Sequence, residues 1–275
     1  MIKKGKLAGF PFLFYISLFL VLEVFFMVME LLLSHRSIRK YLAKDIDDDI
    51  LNEILECGIS ASNTGNMQLY SIIVTRDSNK KELLAPFHFN QPMVKNAPLI
   101  LTICFDINRF SKWCSLNNTK TDFSNLLWLL TGTVDASILS QNICIAAENN
   151  GLGICYLGTV LYNAPEISKI LNLPSGVIPI TCITMGYPDQ VPDKTNRLPL
   201  NSIVHFEEYD DYSDERICNV YSEKENLESS KQFIEENSKE NLAQVYAEVR
   251  YKSADNQYFS GKLLKMLIDQ GFVFE

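Results

Sequence analysis

The chain has 275 residues, 47% of them apolar, so it is long enough for one large domain or two small ones around a sizeable core. With 25 Lys and Arg against 33 Asp and Glu it carries a net charge of −8, and no basic stripe runs along any segment, which argues against nucleic-acid binding. Three scattered histidines assemble no metal-ligand spacing, and seven cysteines without a C-x-x-C pair suit a reducing compartment.

Leu7 to Met29 is apolar enough and long enough to cross a bilayer, with Lys3, Lys4 and Lys6 before it and only Glu23 inside it. One charge in a span costs roughly 2.5–3.5 kcal/mol, which the surrounding Leu and Phe offset. No small-residue cleavage site follows. Residues 1–28 are therefore read as a hydrophobic extension, either an uncleaved anchor or a mis-assigned start with translation from Met27 or Met29. Residues 29–275 form the folded domain.

Immediately after comes SHRSIRKYL, Ser34 to Leu42, a local concentration of positive charge in an acidic protein. Guanidinium forks bind phosphate bidentately and a serine hydroxyl adds a donor, so His35, Arg36, Ser37 and Arg39 suit a terminal phosphate. Alternatively they pair with Asp45, Asp47 and Asp48 on a solvated face. From Asp45 the apolar positions Ile46, Ile50, Leu51, Ile54, Leu55 and Ile59 fall at helical spacing behind a first turn of acids. SNTGNMQ, Ser62 to Gln68, is either a plain turn or a set of amides facing a flat heterocycle. Leu69 to Thr75 reads as a strand, a helix restarts at Asp77 or Ser78, and Pro98 to Asp106 reads as a buried strand.

Phe123 to Asn150 predicts a long helix, apolar almost all round and closed by Asn150-Gly151. Such a helix is buried on every side, at the centre of the domain or against a second subunit. GLGICYLG follows as a turn and strand in which Gly153 and Gly158 permit close approach of a ligand or of packed backbone. A short helix from Ala164 and a strand through VIPITCITMGYP complete the alternation. Beyond Pro188 the chain becomes an irregular arm with Lys194 and Arg197, then a polar helix or two from Ser222 to Gln244, then an amphipathic close.

No nucleophile elbow, phosphate loop or dinucleotide fingerprint occurs, so any catalysis falls to a bound cofactor. HRSIRKY, SNTGNMQ, AAENNGLG, YLGT and MGYPDQVPDKTNRLPL, in this order and spacing, together resemble the FMN-dependent nitroreductase family, in its oxygen-insensitive NADPH nitroreductase and flavin reductase branch. The resemblance runs from about Met29 to Glu275. It implies an α+β fold with a mixed central sheet surrounded by helices, and an intertwined homodimer with FMN at the subunit interface.

Carried across, His35, Arg36, Ser37 and Arg39 would hold the FMN phosphate and ribityl chain. Asn63 and Gln91 would contact the flavin or its ribityl chain, Tyr156, Leu157, Gly158 and Thr159 would line the ring, and Arg197 would return to the phosphate. Two positions depart from the family: Thr195 stands where the branch has lysine, leaving Lys194 to substitute, and Thr159 stands where glycine is frequent. The region that carries NADPH-selecting arginines in the branch is here EENSKENL, with Lys239 alone, so NADPH and NADH are both expected reductants. The implied activity is hydride transfer from NAD(P)H through flavin to a nitroaromatic, quinone or flavin acceptor in ping-pong order, in the cytoplasm. The alternative is a membrane-anchored module that binds flavin or nucleotide without turnover.

Overall fold

The computed structural model describes residues 28–274, so the greasy segment from Leu7 and the start-site question lie outside the described residues, apart from Val28 and Met29. Among the described residues no helix is long and apolar enough to cross a membrane.

Four strands form one sheet in the order β1-β2-β4-β3: β1 is Tyr70–Thr75, β2 Leu99–Asp106, β3 Gly153–Leu157 and β4 Val177–Gly186. All three pairings are antiparallel. Among the described residues, the mixed character expected of the sheet comes from an added edge, where Ser37 forms a parallel bridge with Ile154 of β3. The apolar runs of the sequence become the central strands. Every residue of β2 is buried, as is every residue of β4 except Thr181.

Helices cover the sheet. Helix α1 (Asp48–Ile59) starts where the Asp47 carboxylate accepts from the Asp49 amide, and α2 (Ser78–Leu84) starts with Asp77 accepting from Lys80. The short α3 (Pro92–Asn96) and α4 (Asn108–Leu116) flank β2. Helix α5 (Leu126–Asn149) packs on all four strands, most closely on β2, β4 and β3. Gly132 faces the Phe105 ring so closely that no Cβ fits, and a Cβ on Gly58 of α1 would lie 2.5 Å from Ile143, so glycine sets both approaches. Helix α6 (Ala164–Ile170) follows β3.

The expectation that α5 is buried on all sides does not hold within one chain. Its inner face, with Ala136, Leu139, Ile143 and Ala147, is fully buried, while Leu127, Leu130, Val134 and Ile138 remain 69%, 56%, 57% and 40% exposed. Their i, i+3, i+7, i+11 spacing makes one continuous apolar stripe on the outer face.

The arm after β4 contains α7 (Asp214–Asn226), α8 (Glu228–Glu236), a π-helical segment Val245–Arg250 and α9 (Ser253–Asp269). Helix α9 docks on α6, where Lys262 donates to Asn163 Oδ1 at 2.9 Å and pairs with Glu166 at 2.8 Å. Cys104, Cys114, Cys144, Cys155 and Cys182 are buried, while Cys57 and Cys218 are exposed, and all seven are free thiols.

Candidate active site

The basic segment is an added edge of the sheet. The Ile38 amide donates to Ile154 O at 2.8 Å, the Leu42 amide to Tyr187 O at 2.9 Å, and the Asp189 amide to Lys40 O at 3.0 Å. Gly153 makes this possible, since a Cβ there would sit 2.5 Å from Ile38. Residues 37–39 therefore run in the same direction as Ile154 to Tyr156 along one edge.

None of the basic residues of this segment pairs with Asp45, Asp47 or Asp48 among the described residues. Asp48 is taken by Arg76 at 2.8 Å. His35 Nδ1 lies 2.5 Å from Glu148 Oε1 at the end of α5, which ties the segment to that helix. Arg36 donates through Nη1 to Ser34 O at 2.9 Å, but its Nε is buried without a hydrogen-bond partner. A buried, unpaired guanidinium donor is costly unless an acceptor completes it. His35 and Arg36 line a hollow of about 260 Å³ with Gly151, Gly153 and Gln190. Ser37 and Arg39 follow on the same edge, where Arg39 makes a weak bond, 3.5 Å, to Ser37 O.

At the far end of β3 a second cavity of about 650 Å³ opens, lined by Gln91, Tyr156, Leu157, Gly158 and Thr159. From Ile154, beside Ser37, to Gly158 is about 13 Å of strand. A Cβ on Gly158 would meet nothing within 4 Å, so backbone is open to the cavity there. Thr159 is half-buried, and its hydroxyl lies 2.8 Å from Nδ1 of His88.

Several lining residues were not singled out in the sequence. Phe89, Tyr162 and Phe259 form an aromatic wall with centroids 4.9 to 6.1 Å apart, and Arg250, Tyr251, Asp255 and Asn256 come from the arm. Phe89 and Asn90 hold left-handed backbone, φ 54 and 53, which a bulky aromatic adopts only when the surroundings impose it. The local signal was the run His88-Phe89-Asn90-Gln91-Pro92, whose Asn and Pro are turn residues. The arm residues gave no such signal.

Asn63 is not brought to either hollow. It closes its own loop, with Oδ1 accepting from Gln68 N at 3.1 Å, and its neighbour Thr64 is fixed to the buried Asp135 carboxylate on α5. Asp135 and Glu148 are 13 positions apart on that helix, so the loop sits about 20 Å along it from the His35 contact. Lys194 and Arg197 lie exposed in the irregular segment after β4, and neither forms an ion pair among the described residues. A further hollow of about 710 Å³ in the arm is lined by Ile217, Tyr221, Leu242 and Tyr246 and includes none of the residues singled out in the sequence.

The protein-family model described as "Nitroreductase family" matches residues 32–187, from just before the basic segment to the end of the sheet. The NADPH-flavin oxidoreductase of Vibrio harveyi is 36% identical over 182 residues, covering 66% of this chain and 74% of the relative. A crystal structure from Bacteroides fragilis, described no further than as an oxidoreductase, is 49% identical with a TM-score of 0.87, over 89% of this chain and 99% of the other. The NADPH:FMN oxidoreductase of Vibrio harveyi complexed with NAD+ is 31% identical with a TM-score of 0.68, over 80% and 94%. The matched segment spans the basic edge, the sheet and the cavity-lining turn, and this chain belongs to the nitroreductase family.

Proposed function

We propose that the protein is an FMN-dependent oxidoreductase that takes reducing equivalents from NADPH or NADH and delivers them to a small-molecule acceptor. The observation that carries the proposal is the edge of β3: the buried, unpaired Arg36 donor precedes Ser37, which pairs with Ile154, and an open backbone cavity lies at Gly158, about 13 Å along the strand from Ile154. The residues fit FMN, whose phosphate and flat heterocycle need those two environments in one line. When bound, FMN supplies hydride acceptance and hydride delivery.

Arg36, Ser37 and Arg39 hold the phosphate and ribityl chain, with His35 keeping the segment against Glu148. Lys194 and Arg197, free of ion pairs among the described residues, supply further charge from the arm. Gln91 and the Tyr156–Thr159 turn orient the ring, and preorganised backbone donors there stabilise developing negative charge. The arm over the cavity excludes water from one side. One cavity serves donor and acceptor in turn, which is a ping-pong order. Flat acceptors such as nitroaromatics, quinones or flavins match the aromatic wall, and the need for a nicotinamide donor places the enzyme in the cytoplasm.

The apolar stripe on α5 is the seat of a second copy, and the separation of Asn63 from its own cavity agrees with a site shared between subunits. The purified chain should be yellow, bleach under nitrogen with NADPH or NADH, and regain colour with an acceptor. A colourless protein that FMN fails to reconstitute defeats the assignment. Val134→Glu on the stripe should halve the apparent mass in solution and release FMN, and an unchanged mass would remove the shared site.

A further inference from the structure

His88 is an oddity of this molecule. It ends the 3-10 turn Ala85–His88, is 1% exposed, and is packed between that turn and the one formed by Gly158–Val160. Burial alone pushes its pKa down to about 4, so the ring is neutral. A neutral imidazole offers one donor and one acceptor, and burying both costs free energy that an apolar side chain of similar shape would not incur. Its side-chain hydrogen bond among the described residues is the 2.8 Å contact from Nδ1 to the Thr159 hydroxyl, and Thr159 lines the 650 Å³ cavity. The His88 carbonyl also accepts from the Gln91 amide at 3.2 Å, so a second cavity residue hangs from the same position.

We propose that His88 is a positioning residue for the ring-binding cavity: its bond to Thr159 fixes which way that hydroxyl faces, and so sets the hydrogen-bond character that a bound flavin ring meets. A free threonine hydroxyl rotates to suit its surroundings, whereas one held from below presents a single face. The arrangement is specific to a chain with Thr159, because glycine at that position would leave His88 without this partner. The proposal rests on the flavin reading above.

The test uses the purified full chain carrying FMN, with Thr159→Val, His88→Phe, His88→Asn and the double variant of the first two. Visible absorption, the reduction potential of bound FMN and FMN affinity are recorded, with the melting temperature as a control for folding. Thr159→Val keeps the shape and removes the hydroxyl. It should shift the flavin band and the potential and weaken FMN about tenfold, the worth of one hydrogen bond. His88→Phe should reproduce both shifts, the double variant should add nothing, and His88→Asn, which restores a polar group near Nδ1, should recover most of them. If His88→Phe only lowers the melting temperature while band and potential stay put, the proposal is overturned. It also falls if Thr159→Val leaves the bound flavin unchanged or if the double variant sums the two single effects. Should His88→Phe fail to fold, Thr159→Val and His88→Asn decide by the same readings. Wild-type protein that binds no FMN overturns the flavin reading itself, a result distinct from flavin-bound variants that do not differ.

Discussion

The sheet and the arm are two unlike pieces of one molecule. From Ser37 to Pro188 the chain contacts itself: β2 is buried along its whole length, α5 lies on all four strands, and the basic edge is held by backbone bonds. Beyond Pro188, α7 has no buried residue and the polar contacts are mostly between exposed side chains. Yet both contribute to one cavity, the sheet through Tyr156–Thr159 and the arm through Arg250, Asn256 and Phe259. The difference separates two jobs. The Tyr156–Thr159 turn is set by the sheet, while its cover comes from an arm whose first helix, α7, buries nothing and whose last, α9, reaches the core through Met266 and Leu267.

The largest effect should follow from breaking the packing of the sheet. Phe105→Ala removes a fully buried ring seated on Gly132 and should cost about 3–5 kcal/mol, read as a fall in the urea midpoint. Next comes acid. The folded-state pKa of His88, about 4, lies below the ordinary value of 6.5, so the unfolded chain takes up a proton first as pH falls. Stability from this group is full above pH 6.5 and is lost progressively down to about pH 4, by about 3 kcal/mol. His88→Phe should flatten that part of the stability profile against pH.

Third, Arg36→Ala should lower FMN affinity by about ten- to a hundredfold, the value of a charged hydrogen bond, with little change in the urea midpoint of the flavin-free protein. If the midpoint falls instead, the arginine belongs to the scaffold and the comparison blurs. The smallest effect belongs to the arm. Lys239→Ala breaks the 2.7 Å pair with Glu248 between partly exposed side chains and should change stability by no more than about 0.5 kcal/mol. A larger loss would mean that the arm is as tightly built as the sheet.

Local pattern made the sheet legible. Short β-branched runs gave β1, β2 and β4 to within a residue or two, and Asp77 marked a helix start that its side chain does cap, while the helix expected from Asp45 begins three residues later, behind Asp47. The helix of Phe123 to Asn150 was legible in length but not in facing, because a segment apolar all round carries no periodic sign of which side meets its own sheet. The basic segment was legible as a charge cluster. Its bridge to β3, more than a hundred residues away, was not, since no local rule encodes a pairing of that range. His88 went unnoticed for the same reason: a lone histidine in an apolar stretch acquires its partner, Thr159, only through the fold.

One further consequence comes from the cysteines. A thiol reacts as its thiolate, and burial pushes Cys104, Cys144 and Cys182 up to about 12 and Cys155 upward as well. Only Cys57 on α1 and Cys218 on α7 remain open to an alkylating reagent. The native protein thus carries two natural handles, one on the sheet's helical layer and one on the arm, and a pair of dyes placed there would follow the distance between the two without any substitution.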